Sequence, residues 1–182
     1  MPDQTYNIPP DGAKISIWLD SYDDMFSDFD PRPYSKRTVS DDFILQLRNV
    51  ARGRVGKKMM LALLMPELKK DSVVEEYVSQ RLHAYFQLNA EQLGRERKAS
   101  NRKGFLLTLA GLTVMLSAGY VSFLNSESFL ARALLILFEP AGWFMLWMGL
   151  DLLVYDARKM KKELDFYKRL SSAQIRFGTY RE

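Results

Sequence analysis

Between Ser21 and Phe43 the chain reads SYDDMFSDFDPRPYSKRTVSDDF, which sets Asp23, Asp24, Asp28 and Asp30 among Tyr22, Phe26, Phe29 and Tyr34. Clustered carboxylates can hold a hard cation such as Mg²⁺ or Ca²⁺, which takes several oxygen ligands at close spacing. Here the EF-hand order D-x-[DN]-x-[DN]-G is absent and no bidentate glutamate follows at the right distance. The other chemistry open to these residue types is charge pairing and docking. In that reading the aspartates meet Arg32, Arg37 or the basic region 48–58, and Phe26 and Phe29 enter the core. Pro31 and Pro33 disfavour helix for their predecessors, so an ordered loop pinned by its aromatics is expected. We expect Tyr22, Asp23, Asp24, Phe26, Asp28, Phe29, Asp30, Arg32 and Tyr34 to form a partner-docking loop, with no metal and no cofactor.

Other chemistry-bearing residues are few. His83 is the only histidine and has no companion at i±3 or i±4, which removes a helical metal pair and a Ser-His-Asp arrangement. The absence of cysteine removes disulfides, thiolate catalysis and Cys-ligated zinc, and agrees with a cytoplasmic soluble part. Neither a Walker motif nor G-x-G-x-x-G occurs. The expectation therefore leans away from an enzyme. Glu139 and Asp151 lie inside an otherwise apolar run, where a charged group is expensive and marks a candidate functional position.

The elements that must position these residues begin with two apolar runs, spans of about 105–124 and 133–153, separated by the polar segment Asn125–Ser128. The first carries no charge, and as a helix it rises about 30 Å, enough to cross a bilayer. A linker this short returns the second run antiparallel, giving a transmembrane hairpin over 104–155. Mirroring the chain about residue 126 places Glu139 near Thr113 and Ser117, Asp151 opposite Arg102 and Asp156 opposite Arg97. Glu139 is thus expected to hydrogen-bond the hydroxyls, to mark a kink with Pro140, or to reach toward Arg132; the two Asp–Arg pairs would clamp the inner end. Gly104, Gly111 and Ala118 recur every seven residues, as do Gly142 and Gly149, so the helices can approach on small faces.

Charge sets the orientation. Residues 1–47 carry net −5, 48–104 carry +7, 105–155 carry −2 and 156–182 carry +4. Arg95, Arg97, Lys98, Arg102 and Lys103 precede the first span, and Arg158, Lys159, Lys161, Lys162, Lys168 and Arg169 follow the second, against Arg132 alone in the connection. This asymmetry predicts both termini in the cytoplasm. Arg102, Lys103, Arg158 and Lys159 are expected among lipid headgroups, in preference to nucleic acid. No signal peptide opens the chain, so the first span is expected to serve as its own insertion signal.

Around the hairpin, KISIWLD at 14–20 alternates as a strand, Phe43, Ile44, Leu47 and Val50 recur at helical spacing from Asp41 to Ala51, and 58–65 is a continuous apolar run of strand length. A helix is predicted from about 71 to 103, leading to the membrane, then another over 158–170 and a possible strand at 174–177. The predicted fold class is an α+β/α/β membrane protein, βαβα–TM–TM–αβ, with two or three strands and three helices in a small cytoplasmic domain. That domain is assembled from 1–103 and 156–182. So small a sheet cannot bury the long helix alone, which predicts a homo-oligomer or a protein partner.

The stretch from Ser21 to Phe43, together with LLVYDARKMKKELDFYKRL after the second span, resembles a family of uncharacterised bacterial two-span membrane proteins with a near-identical acidic–aromatic signature. The resemblance covers most of the chain and implies a bacterial inner-membrane location; it carries no activity and no residue roles. Around GWFMLWMGLDLLVYD the family pattern is richer in tryptophan and proline than this sequence. The expected function is a non-enzymatic anchor or scaffold whose cytoplasmic domain self-assembles or docks a partner. The alternative is a subunit of an oligomeric ion or proton pathway using Glu139.

Overall fold

Seven consecutive residues, Met59 to Met65, are buried, and they form the middle of β2 (Lys58–Pro66). A strand apolar at every position must be covered on both faces, as in parallel sheets. The computed structural model describes residues 12–52, 58–124 and 128–180. The expected lead-in at 1–11, the glycine stop at Gly53 and Gly56, and most of the linker after residue 124 lie outside the described residues.

β1 (Gly12–Trp18), β2 and β3 (Gln174–Tyr180) form a parallel sheet in the order β1-β2-β3. The register sets Ile15, Leu61 and Ile175 in one row and Ile17, Leu63 and Phe177 in the next, so one face is aliphatic across all three strands. α1 (Asp41–Ala51) crosses from β1 to β2 and buries Phe43, Ile44 and Leu47, as its spacing predicts. Ser40 sits at its N-cap position without a side-chain cap bond, and its amide donates instead to the Met25 carbonyl at 3.0 Å. The second crossover, from β2 to β3, contains a 3-10 turn Glu67–Lys69, α2 (Ser72–Phe123), α3 (Phe129–Asp151), a π-helical turn Leu152–Asp156 and α4 (Ala157–Ser171).

The chain divides into two compact units, 1–91 with 165–182, and 92–164. In the first, Asp71 caps α2, its carboxylate accepting from the Val73 amide at 2.9 Å. Val78, Leu82 and Phe86 follow at helical spacing and are fully buried. Tyr85 meets Tyr167 of α4 edge-to-face at 6.4 Å, and burial first, then that neighbour, pushes the Tyr85 hydroxyl up to about 12. His83 Nδ1 donates to the Ser171 carbonyl at 3.2 Å, a structural role for the sole histidine.

In the second unit α2 and α3 pack antiparallel. Among the described residues between 104 and 151, the buried ones are Gly104, Gly111, Ala118, Gly142 and Gly149, the small residues that recur at seven-residue spacing. A Cβ on Gly111 would lie 2.6 Å from the Leu146 nitrogen, and one on Gly149 would lie 2.7 Å from the Gly104 carbonyl oxygen. The backbones therefore touch, which only glycine permits. These two helices are long and apolar enough to cross a membrane. α3 passes through Pro140 without interruption.

Three side-chain expectations for this unit fail. Asp151 does not pair with Arg102, nor Asp156 with Arg97, whose Nε finds no hydrogen-bond partner among the described residues. Thr113 and Ser117 donate to Leu109 and Thr113 carbonyls of their own helix, at 2.9 and 2.8 Å, and not to Glu139. Glu139 is exposed and unpaired with Arg132. Mirror symmetry fixes height along the helices but not azimuth, and the glycine stripe takes the facing azimuth.

Gly149→Ala is expected to lower stability by about 1–3 kcal/mol through overpacking against Thr108. Gly119→Ala, whose Cβ would meet nothing within 4 Å, should be neutral or stabilise by about 0.5–1 kcal/mol. Thermal unfolding of the purified protein followed by circular dichroism separates the two; equal effects would contradict the packing described.

Candidate functional site

Residues 21–40 close on themselves. A 3-10 turn, Tyr22–Met25, opens the loop with a capping box: Ser21 Oγ accepts from the Asp23 amide, and Asp24 Oδ2 accepts from the Ser21 amide at 3.0 Å and the Asp20 amide at 2.6 Å. At the far end the Ser27 amide donates to the Thr38 carbonyl at 2.9 Å, and an isolated antiparallel bridge joins Phe26 to Val39.

Asp30 holds the interior together. It is only 9% exposed, and its carboxylate accepts from Arg32 Nε at 2.8 Å, Arg32 Nη2 at 2.7 Å, the Arg32 amide at 3.2 Å and the Thr38 amide at 2.7 Å. A carboxylate gripped by a bidentate guanidinium and two backbone N–H groups strongly prefers to stay ionised. The Arg32 bond, ahead of the Thr38 ones, holds the Asp30 carboxyl well below the usual carboxylate range, and the same bond raises Arg32.

The aromatics form a second layer. Tyr34 lies 5.5 Å from Phe26 and 6.1 Å from Tyr22, and Tyr22 in turn meets Phe177 of β3 at 6.1 Å. Tyr22 accepts from the Asp71 amide at 3.0 Å, which ties the loop to the start of α2. Arg37 pairs with Asp23, spreads over the Tyr34 ring at 5.9 Å, and receives the Arg81 guanidinium on its carbonyl at 2.8 Å. Burial raises the Tyr22 and Tyr34 hydroxyls, with Asp23 adding to the second.

Of the nine residues expected in the loop, seven take part in its bonds and ring contacts, and Asp28 and Phe29 stand outward. Phe26 is buried, 2% exposed, but Phe29 does not enter the core: it is 98% exposed, beside exposed Asp28. The inward position falls to Met25, which is fully buried. Asp30 and Asp23 meet Arg32 and Arg37, as expected; residues 53–57 of the basic region lie outside the described residues. With Asp23, Asp24 and Asp30 each spent on a different partner, no cluster of three or more metal-ligating side chains forms among the described residues. Sequence reasoning missed Thr38, Arg81 and Asp71; the Ser21-x-x-Asp24 spacing is a cap signal that was available.

Elsewhere, Glu139 and Asp151 are exposed on α3, and Arg102, Lys103, Arg158 and Lys159 are exposed on α2 and α4. Trp143 and Trp147 stack at 6.4 Å with 19° between their planes, both outward.

Asp30, depressed in the fold relative to an unfolded value of about 3.9, contributes stability that is complete above that pH and is withdrawn as acid protonates it. Hydrogen exchange at the Thr38 amide, corrected for intrinsic rate, should stay slow at neutral pH and quicken below about pH 4. In Asp30→Ala it should be fast at both; equal protection in the two proteins would remove Asp30 from this role. Comparisons with protein-family models, with curated proteins and with solved structures find no match to this chain.

Proposed function

We propose that the chain is an integral membrane protein whose α2–α3 hairpin anchors the three-stranded unit on the cytoplasmic side of a bacterial inner membrane, where loop 21–40 docks a protein partner. The carrying observation is where burial stops. Only 17% and 11% of the two apolar windows is buried within the fold. A core helix of a water-soluble protein turns its apolar residues inward, whereas hydrocarbon is a solvent in which Leu116, Leu137 and Phe144 can stay outward. Close approach on glycine supports the same reading, because helices in lipid associate through backbone contact and not through apolar exclusion.

Orientation follows from the basic flanks. Eleven Lys and Arg lie beside the inner ends of the two runs against Arg132 in the connection, a bias that keeps both flanks cytoplasmic. Arg102, Lys103, Arg158 and Lys159 then meet the anionic headgroup layer. For docking, the support is the Asp28–Phe29 tip. A large aromatic held outward by a loop whose own polar groups are satisfied costs little further ordering when a partner covers it. The docked partner is a protein with an apolar pocket rimmed by basic groups, complementary to Phe29 beside Asp28.

Carbonate washing should leave the full chain in the membrane pellet, and release would overturn the anchoring. In affinity capture from detergent, Phe29→Ala should lose a partner that the parent protein retains, with thermal stability unchanged. Phe26→Ala should instead cost about 3–5 kcal/mol of stability, since its ring fills the loop interior. Equal recovery by the parent and Phe29→Ala defeats the docking reading.

A further inference from the structure

α3 has two different outward sides. At about 100° per residue, Arg132, Glu139, Trp143 and Trp147 fall on one side of the helix, and Leu130, Leu137, Phe144 and Met148 on another, with Gly142 and Gly149 packed against α2 between them. All eight outward residues are exposed. The second side is purely apolar and suits lipid. The first carries two of the three charged residues of α3 and both of its tryptophans.

Glu139 lies six residues inside the second apolar run, about 9 Å from its start, which is deeper than its side chain extends along the helix. Among the described residues its carboxyl has no partner: Thr113 and Ser117 bond their own helix, and no ion pair to Arg132 forms. A polar group at that depth needs a hydrogen-bonding group at the same depth.

We propose that this side of α3 is the contact between two copies of the chain, related by a twofold axis along the membrane normal. The axis sets Glu139 beside Glu139 of the second copy. A twofold axis normal to the membrane meets the depth requirement automatically, because it brings each residue to its own height in the partner. One Glu139 carboxyl carries a proton and donates it to the carboxyl of the other, and the stacked Trp143–Trp147 pair of each copy supplies broad, rigid contact area below them. The glycine stripe is already used inside each hairpin, which leaves this side as the one with polar groups to satisfy. The inference rests on the membrane-spanning reading given above.

The chain has no cysteine, so single cysteines can be placed without background. In membranes containing the full-length protein, Ile136→Cys, one turn from Glu139 on the same side, should form a disulfide-linked dimer under mild oxidation. Leu137→Cys and Phe144→Cys, on the apolar side, should not. In the Ile136→Cys background, Glu139→Gln keeps a hydrogen-bonding pair and should preserve the cross-link, while Glu139→Leu should weaken dimerisation about tenfold. Equal cross-linking on both sides, no dimer at any position, a cross-link to a different polypeptide, or a dimer indifferent to Glu139→Leu would each overturn the proposal if every variant stays in the carbonate-washed pellet. Release of the protein by carbonate would strike down the membrane reading, and this inference with it.

Discussion

A parallel strand cannot be paired by a tight turn: the chain must travel back along the whole length of the sheet before its next strand can lie beside the last. β2, buried at every position from Met59 to Met65, needs such a partner on both edges. α1 provides the return from β1, and the entire run from α2 through α4 provides the return to β3. The two apolar helices therefore lie within a crossover of the sheet. Any membrane crossing made inside that connection has to be made an even number of times, or β3 could not reach β2. Eleven Lys and Arg flank the two apolar runs at the ends away from their connection, against Arg132 within it.

The loop between β1 and α1 is governed by a different requirement, that of satisfying its own polar groups. Asp30 sits below the surface and takes four donors, so the turn from Ser27 to Thr38 closes around a charge that would be costly if left alone. Asp23 and Asp24 are consumed in the same way, one by Arg37 and one by the capping box. What remains outward is a short tip, Asp28 and Phe29. Acidic composition therefore describes how the loop is built more than what it offers to a ligand.

Most of the framework is legible in the residues. The unbroken apolar run at 59–65 announces a doubly covered strand, the 43-44-47 spacing announces α1, and the small residues at seven-residue spacing announce the helix–helix seam. What stays hidden depends on azimuth or on partners far along the chain. Phe26 and Phe29 are three residues apart among similar neighbours, and only the Phe26–Val39 bridge decides which one turns inward. Asp151 is exposed and unpaired with Arg102, because the small residues claim the contact stripe and set Gly149 beside Gly104. The Tyr22–Asp71 bond joins positions that no local pattern relates.

The sheet's closing strand has a consequence for biosynthesis. Gln174–Tyr180 follows α4 in the chain, so until it is synthesised β2 carries one open edge of backbone donors and acceptors. A nascent chain whose apolar helices have not yet settled cannot deliver β3 to that edge. A chain stalled before β3 presents sticky main chain for quality control to find.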